Sequence, residues 1–146
     1  MNYKRILIGG LAAGVIINLS EFLLNGVVLA DQMGTDMERH NLVFAGWAMP
    51  MYVIMAFLWG LFLAWCYAAI RPRFGPGPGT ALIAAAVLWT IGYAMPSLSV
   101  LAIGLGESGT HALALVWGAV EVIVAAQVAG WLYRETESAP QAAASY

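Results

Sequence analysis

Apolar residues along this chain come in long runs, not in the alternating or three-to-four-residue beat of a soluble fold. Four runs, about Lys4–Ala30, Val43–Ile70, Thr80–Leu105 and Thr110–Tyr133, reach the roughly 20 helical residues that a hydrocarbon core requires. Lipid offers no hydrogen bonds, so each run must pair its own backbone, and all four are predicted to be α-helices. The pattern predicts an all-α integral membrane protein, a four-transmembrane-helix up-down bundle over residues 1–134. Residues 135–146, "ETESAPQAAASY", have no apolar period and are expected to form a disordered tail.

The connectors are short. In "DQMGTDMERHN", Thr35 and Glu38 stand at capping-box spacing, which predicts the start of a brief interfacial helix. "RPRFGPGPG" is dense in helix breakers and predicts a stop between the second and third spans. "GESGT" joins the last two spans and offers Ser108 or Thr110 as a cap.

Composition agrees with this layout: of 146 residues, 62% are hydrophobic and 10% charged, and mean hydropathy is +0.79. A soluble domain of this size has too little interior for so much apolar side chain, so the lipid bilayer is its first expected partner. A net charge of −2 without a basic cluster excludes a nucleic-acid partner. Lys4, Arg5, Arg71, Arg73 and Arg134 fall on one side of the predicted membrane and only Arg39 on the other. The excess of positive charge on one side predicts cytoplasmic termini, in a bacterial cytoplasmic (inner) membrane. Lys4 and Arg5 with Val28-Leu29-Ala30 imitate a signal peptide. The apolar stretch is longer than such a segment needs, however, and Glu21 interrupts it.

The informative residues are the polar ones inside the spans. Gly10, Gly14, Asn18, Glu21 and Asn25 fall within roughly a quarter of the first helix's circumference at 100° per residue. Gly10 and Gly14 form a GxxxG pair that admits a close neighbour. Above them an acid and two amides need partners. Glu121, in the fourth span, lies within about 3 Å of the depth of Glu21 at 1.5 Å per residue. Two carboxyls sharing a site do not both ionise readily, so a meeting there would store a proton or simply bond two helices. Tyr52 and Tyr93 lie at about the same depth, which predicts a polar layer of Asn18, Glu21, Asn25, Tyr52, Tyr93 and Glu121.

Other residues read as packing. Gly60, Ala64 and Ala68 on the second span, and Gly118, Ala126 and Gly130 on the fourth, predict close helix contacts. Pro50 and Pro96 each remove a backbone donor and are expected to kink their helices. They end two similar pentapeptides, "GWAMP" and "GYAMP", which five common membrane residues do not establish as a repeat. Tyr3, Trp65, Tyr67, Trp131 and Tyr133 predict an interfacial aromatic belt, while Trp59, Trp89 and Trp117 lie deeper and predict packing.

Familiar chemistry finds no support. His40 and His111 sit at the outer boundary, unsuited to an intramembrane haem, and with Asp31, Asp36, Glu38 and Glu107 nearby they do not make a convincing metal site. Cys66 is the sole cysteine, so there is no disulfide framework or redox pair. No P-loop, nucleophile elbow or dinucleotide fingerprint occurs. The expectation is a protein that is not an enzyme and carries no cofactor and no metal.

The layout of spans and loops, with "GGLAAG" near the start and "GWLYRE" near the end, resembles that of small four-helix bacterial inner-membrane proteins classed as domains of unknown function. The resemblance is one of architecture and assigns no functional residue. A first-span glutamate is also similar to that of small multidrug-resistance transporters, which are four-helix dimers with an essential carboxylate there. The flanking residues differ, and Glu121 has no counterpart in that family. Two function classes follow. One is a non-enzymatic packing or accessory subunit, associated with itself or with another membrane protein. The other is a small proton-coupled transporter or permeation unit using Glu21 and Glu121.

Overall fold

The computed structural model describes residues 1–133; the expected tail lies outside the described residues. Helices α1 (Tyr3–Leu23), α2 (Ala30–Arg39), α3 (Ala48–Phe74), α4 (Pro78–Trp89), α5 (Met95–Ala102) and α6 (Ser108–Leu132) follow one another along the chain. Two π-helical turns, Leu24–Val28 and Thr90–Ala94, extend α1 and join α4 to α5. The result is four stretches long and apolar enough to span a membrane: Tyr3–Val28, Ala48–Phe74, Pro78–Ala102 and Ser108–Leu132. They pack as an all-α bundle. Much of the outer surface is Leu, Ile, Val and Phe, including Leu19, Phe22, Ile54 and Val116. Such a surface is compatible with lipid and not with water.

The sequence-based boundaries shift in several places. The second span starts at Ala48, not Val43, and runs on through Arg71 and Pro72 to Phe74. The break before the third span is therefore confined to residues 75–77, where Gly75 (φ 82°) and Gly77 (φ 133°) take conformations that other residues rarely adopt. Helix α2 starts five residues before Thr35, whose hydroxyl donates to the Asp31 carbonyl at 2.9 Å, so no capping box forms. Glu107 holds the cap position of α6 without a side-chain bond, and neither Ser108 nor Thr110 caps it.

Pro50 does not kink its helix. It is the third residue of α3, in the first turn, where backbone donors have no helical partner to lose. Pro96 sits in the first turn of α5, directly after the second π turn. A proline there can neither donate to the Gly92 carbonyl nor sit against it, and the widened turn carries the chain past that conflict. "GWAMP" and "GYAMP" thus take different structures, the first a loop entering a helix and the second a π turn within a span.

Close packing is concentrated toward the end of the bundle where α1 begins and α6 ends. Ala13, Leu63, Ala68, Ala84, Ala125 and Ala129 are fully buried there. The glycines of α1 meet the second span: a methyl carbon at Gly10 would lie 2.7 Å from Leu61 Cα, and one at Gly60 would strike the backbone of Gly10 and Gly14. Small residues thereby let two backbones touch, which substitutes for the hydrophobic drive that lipid removes. Two residues of the expected aromatic belt are interior instead. Tyr67 and Tyr133 are buried and pack edge to face at 5.9 Å. The Tyr133 hydroxyl accepts from the Asn2 backbone N–H at 3.1 Å and the Tyr67 hydroxyl from the Gly77 backbone N–H at 3.2 Å, tying this end together. Tyr3, Trp65 and Trp131 are exposed.

Candidate functional site

Glu21 projects from the last turn of α1, and Asn25 from the π turn that follows. The Asn25 amide explains part of that turn. Its Nδ2 donates to the Glu21 carbonyl at 3.1 Å, the acceptor that a regular helix would give to the Asn25 backbone, and a side chain competing for that acceptor loosens the α pattern. The backbone closes the wider ring with a bond from the Leu29 amide to the Leu24 carbonyl at 2.7 Å. The same Asn25 Nδ2 donates to Glu21 Oε2 at 2.6 Å, so the amide holds the carboxyl from one side.

Tyr93 holds it from the other. The second π turn carries the Tyr93 ring into the interior, where its hydroxyl lies 2.8 Å from Glu21 Oε1. The same hydroxyl makes a very short hydrogen bond with Glu121 Oε1. A single phenol therefore links the two span carboxyls, and it does so across three spans. Glu121 is 4% exposed, and its Oε2 is buried with no hydrogen-bond partner. Glu21, Asn25 and Tyr93 are only half-buried.

Counting protons constrains this arrangement. Two oxygen–oxygen hydrogen bonds need two protons, and the phenol supplies one of them. An ionised carboxylate only accepts, so two ionised glutamates could not both be bonded to one hydroxyl. The two hydrogen bonds are satisfied together when one carboxyl carries a proton. A carboxyl that takes and gives a proton at mid-membrane depth is a recurring element of intramembrane proton relays.

Two further residues complete the site, although the sequence presents them only as background. Ser20, whose sequence context resembles a glycosylation acceptor, sits against the Glu121 carboxyl. Trp117, expected to be packing alone, donates from its indole Nε1 to Ser20 Oγ at 2.8 Å. A signal existed for Trp117: an indole N–H buried in lipid demands an acceptor, and it lies one turn from Glu121. Gly118 belongs to the site as well, because a methyl carbon there would lie 2.6 Å from Tyr93 Cε1.

The rest of the expected polar layer does not join. Asn18 turns its amide to its own helix, donating to the Gly14 carbonyl at 2.9 Å and reaching the Val53 carbonyl at 3.4 Å. Tyr52 is 49% exposed and faces Phe44 edge-on at 6.5 Å. Among the packing residues, Ala64 and Ala126 are buried, and Gly130 faces the Tyr67 ring. His111 contacts the Leu105 carbonyl at 3.2 Å, and no group of three or more metal-ligating side chains occurs among the described residues. At the same end Arg39 pairs with Asp36 at 3.6 Å and with Glu107 at 4.0 Å, an exposed contact of small energetic weight.

Comparison with protein-family models, with curated proteins and with solved structures finds no match for this chain.

Proposed function

We propose that this protein is a small proton-handling membrane protein, a transport or permeation unit whose working groups are Glu21, Tyr93 and Glu121. The observation that carries the reading is the single Tyr93 hydroxyl hydrogen-bonded to both span carboxyls. A proton can pass through it with no net change at the phenol. The Glu121 Oε1–H bond breaks as that proton joins the Tyr93 oxygen, and the phenol's own proton moves to Glu21 Oε1. Asn25 then serves to keep Glu21 in place, since its amide donates to the oxygen that the phenol does not use.

Packing weighs against the accessory-subunit alternative. The small residues that would recruit a partner helix are occupied within the chain: Gly10, Gly14 and Gly60 by each other's helices, Gly118 by Tyr93 and Gly130 by Tyr67. The polar groups converge instead of dispersing, and acidic side chains at mid-span cost roughly 2.5–3.5 kcal/mol each to insert. The distribution of Lys and Arg supports termini in the cytoplasm of a bacterial cell.

Liposomes containing the purified protein, a pH-sensitive dye and an imposed potassium diffusion potential test this. Proton entry above that of protein-free liposomes is expected, with loss of the excess in Glu121→Gln. Absence of any excess, or an excess equal in the Glu21→Gln, Glu121→Gln double variant, would overturn the reading.

A further inference from the structure

The carboxyl cluster lies at a boundary in packing. On the side where α1 begins and α6 ends, all four spans contribute fully buried residues: Ala13 from α1, Leu63 from α3, Ala84 from α4 and Ala125 from α6. On the opposite side burial is confined to the first half of the chain, at Leu24, Leu29 and Ala48. The third span buries nothing from Thr90 to Ala102, and α6 buries nothing before Gly118. Glu21 and Asn25 stand at this boundary half-buried.

Hydrocarbon cannot solvate the exposed part of a carboxyl or an amide. Those atoms must meet water or another polar surface, and the loop-bearing end, where the third and fourth spans bury nothing, is the more loosely packed one. We infer that the Glu21–Tyr93–Glu121 site is loaded by water from the loop-bearing, extracytoplasmic end alone, between the first π turn and α5. Ser97, one turn beyond Tyr93 toward that end, is a polar residue that is also half-buried. The small-residue floor of Ala13, Ala84 and Ala125 is the barrier toward the cytoplasm. The inference rests on the proton-handling reading for its purpose, but its measurement does not use proton flux.

Cysteine accessibility tests it in the full chain, with the single native cysteine removed as Cys66→Ala. Thiol reagents attack the thiolate, which forms in water and not in hydrocarbon. Asn25→Cys and Ser97→Cys are expected to react with a membrane-impermeant charged reagent added outside intact cells, and not with the same reagent added to the cytoplasmic face of inverted vesicles. Ala13→Cys and Ala125→Cys are expected to stay unlabelled from both sides. Ser97→Cys is nearly isosteric and guards against misfolding at position 25. Protection of positions 25 and 97 from outside would overturn the inference, including the case in which a second copy covers them and two copies of the Asn25→Cys variant crosslink through a disulfide. Labelling of either position from the cytoplasmic face would overturn it too. If labelling follows the expected pattern while liposomes show no proton entry, the access route stands and the proton function falls.

Discussion

The ring of Tyr93 occupies the space that a side chain at Gly118 would need, with Tyr93 Cε1 only 2.6 Å from where a methyl carbon would sit. The absence of one methyl group on α6 is thus what lets a residue of the third span reach both carboxyls. Gly118→Ala is expected to push the ring out, to cost about 1–3 kcal/mol as overpacking does, and to abolish proton entry in liposomes. Thermal unfolding in detergent and the flux assay together check this, and unchanged flux would detach the glycine from the site.

Tyr93→Phe keeps the ring and removes only the shared hydroxyl. Both carboxyls lose a partner, so a stability loss of about 1–3 kcal/mol is expected. Proton entry should fall to the protein-free level while the helical circular dichroism signal stays intact. Flux at the native level would show that protons do not use the phenol.

The contact between α1 and α3 should tolerate even less. A methyl carbon at Gly60 would strike backbone atoms of Gly10 and Gly14, which cannot rotate away. Gly60→Ala is expected to destabilise the bundle by more than Gly118→Ala, whose clash is with a side chain. Gly34, in α2, has nothing within 4 Å, so Gly34→Ala should be neutral or stabilise by about 0.5–1 kcal/mol through helix propensity. Melting temperatures of the three variants, ranked in one detergent, check the order.

The two prolines should separate in the same way. Pro50→Ala falls in a first turn and is expected to leave both stability and proton entry unchanged. Pro96→Ala restores a donor beside the π turn that aims Tyr93, so the turn can revert toward α geometry and swing the ring off the carboxyls. Reduced flux with retained helicity is the expected outcome. Equal behaviour of the two variants would mean that the π turn does not depend on proline.

Much of this architecture is legible in the chain alone, for a simple reason. Hydrocarbon imposes a length and a hydropathy on any helix that crosses it, so spans, loops and relative depth can be counted along the sequence. That counting puts Glu21 and Glu121 at one level. It also puts Tyr52 there, and Tyr52 points outward. Depth is a sum of residue rises, whereas facing depends on rotation and on what the neighbouring helix offers.

Rotation is where counting along the chain stops working. A π turn takes in an extra residue and rotates everything beyond it by roughly 100° relative to a regular helix. Asn25 and Tyr93 sit in such turns and meet the carboxyls, whereas Asn18 and Tyr52, in regular helix, turn elsewhere although period or depth groups them with Glu21. The membrane class, the spans and the presence of two acids at one depth follow from the order of residues alone, because the solvent enforces them. That one phenol joins those acids, that Gly118 makes room for it, and that the third and fourth spans pack closely at one end and loosely at the other emerge only in the folded bundle, because each depends on contacts between residues distant along the chain.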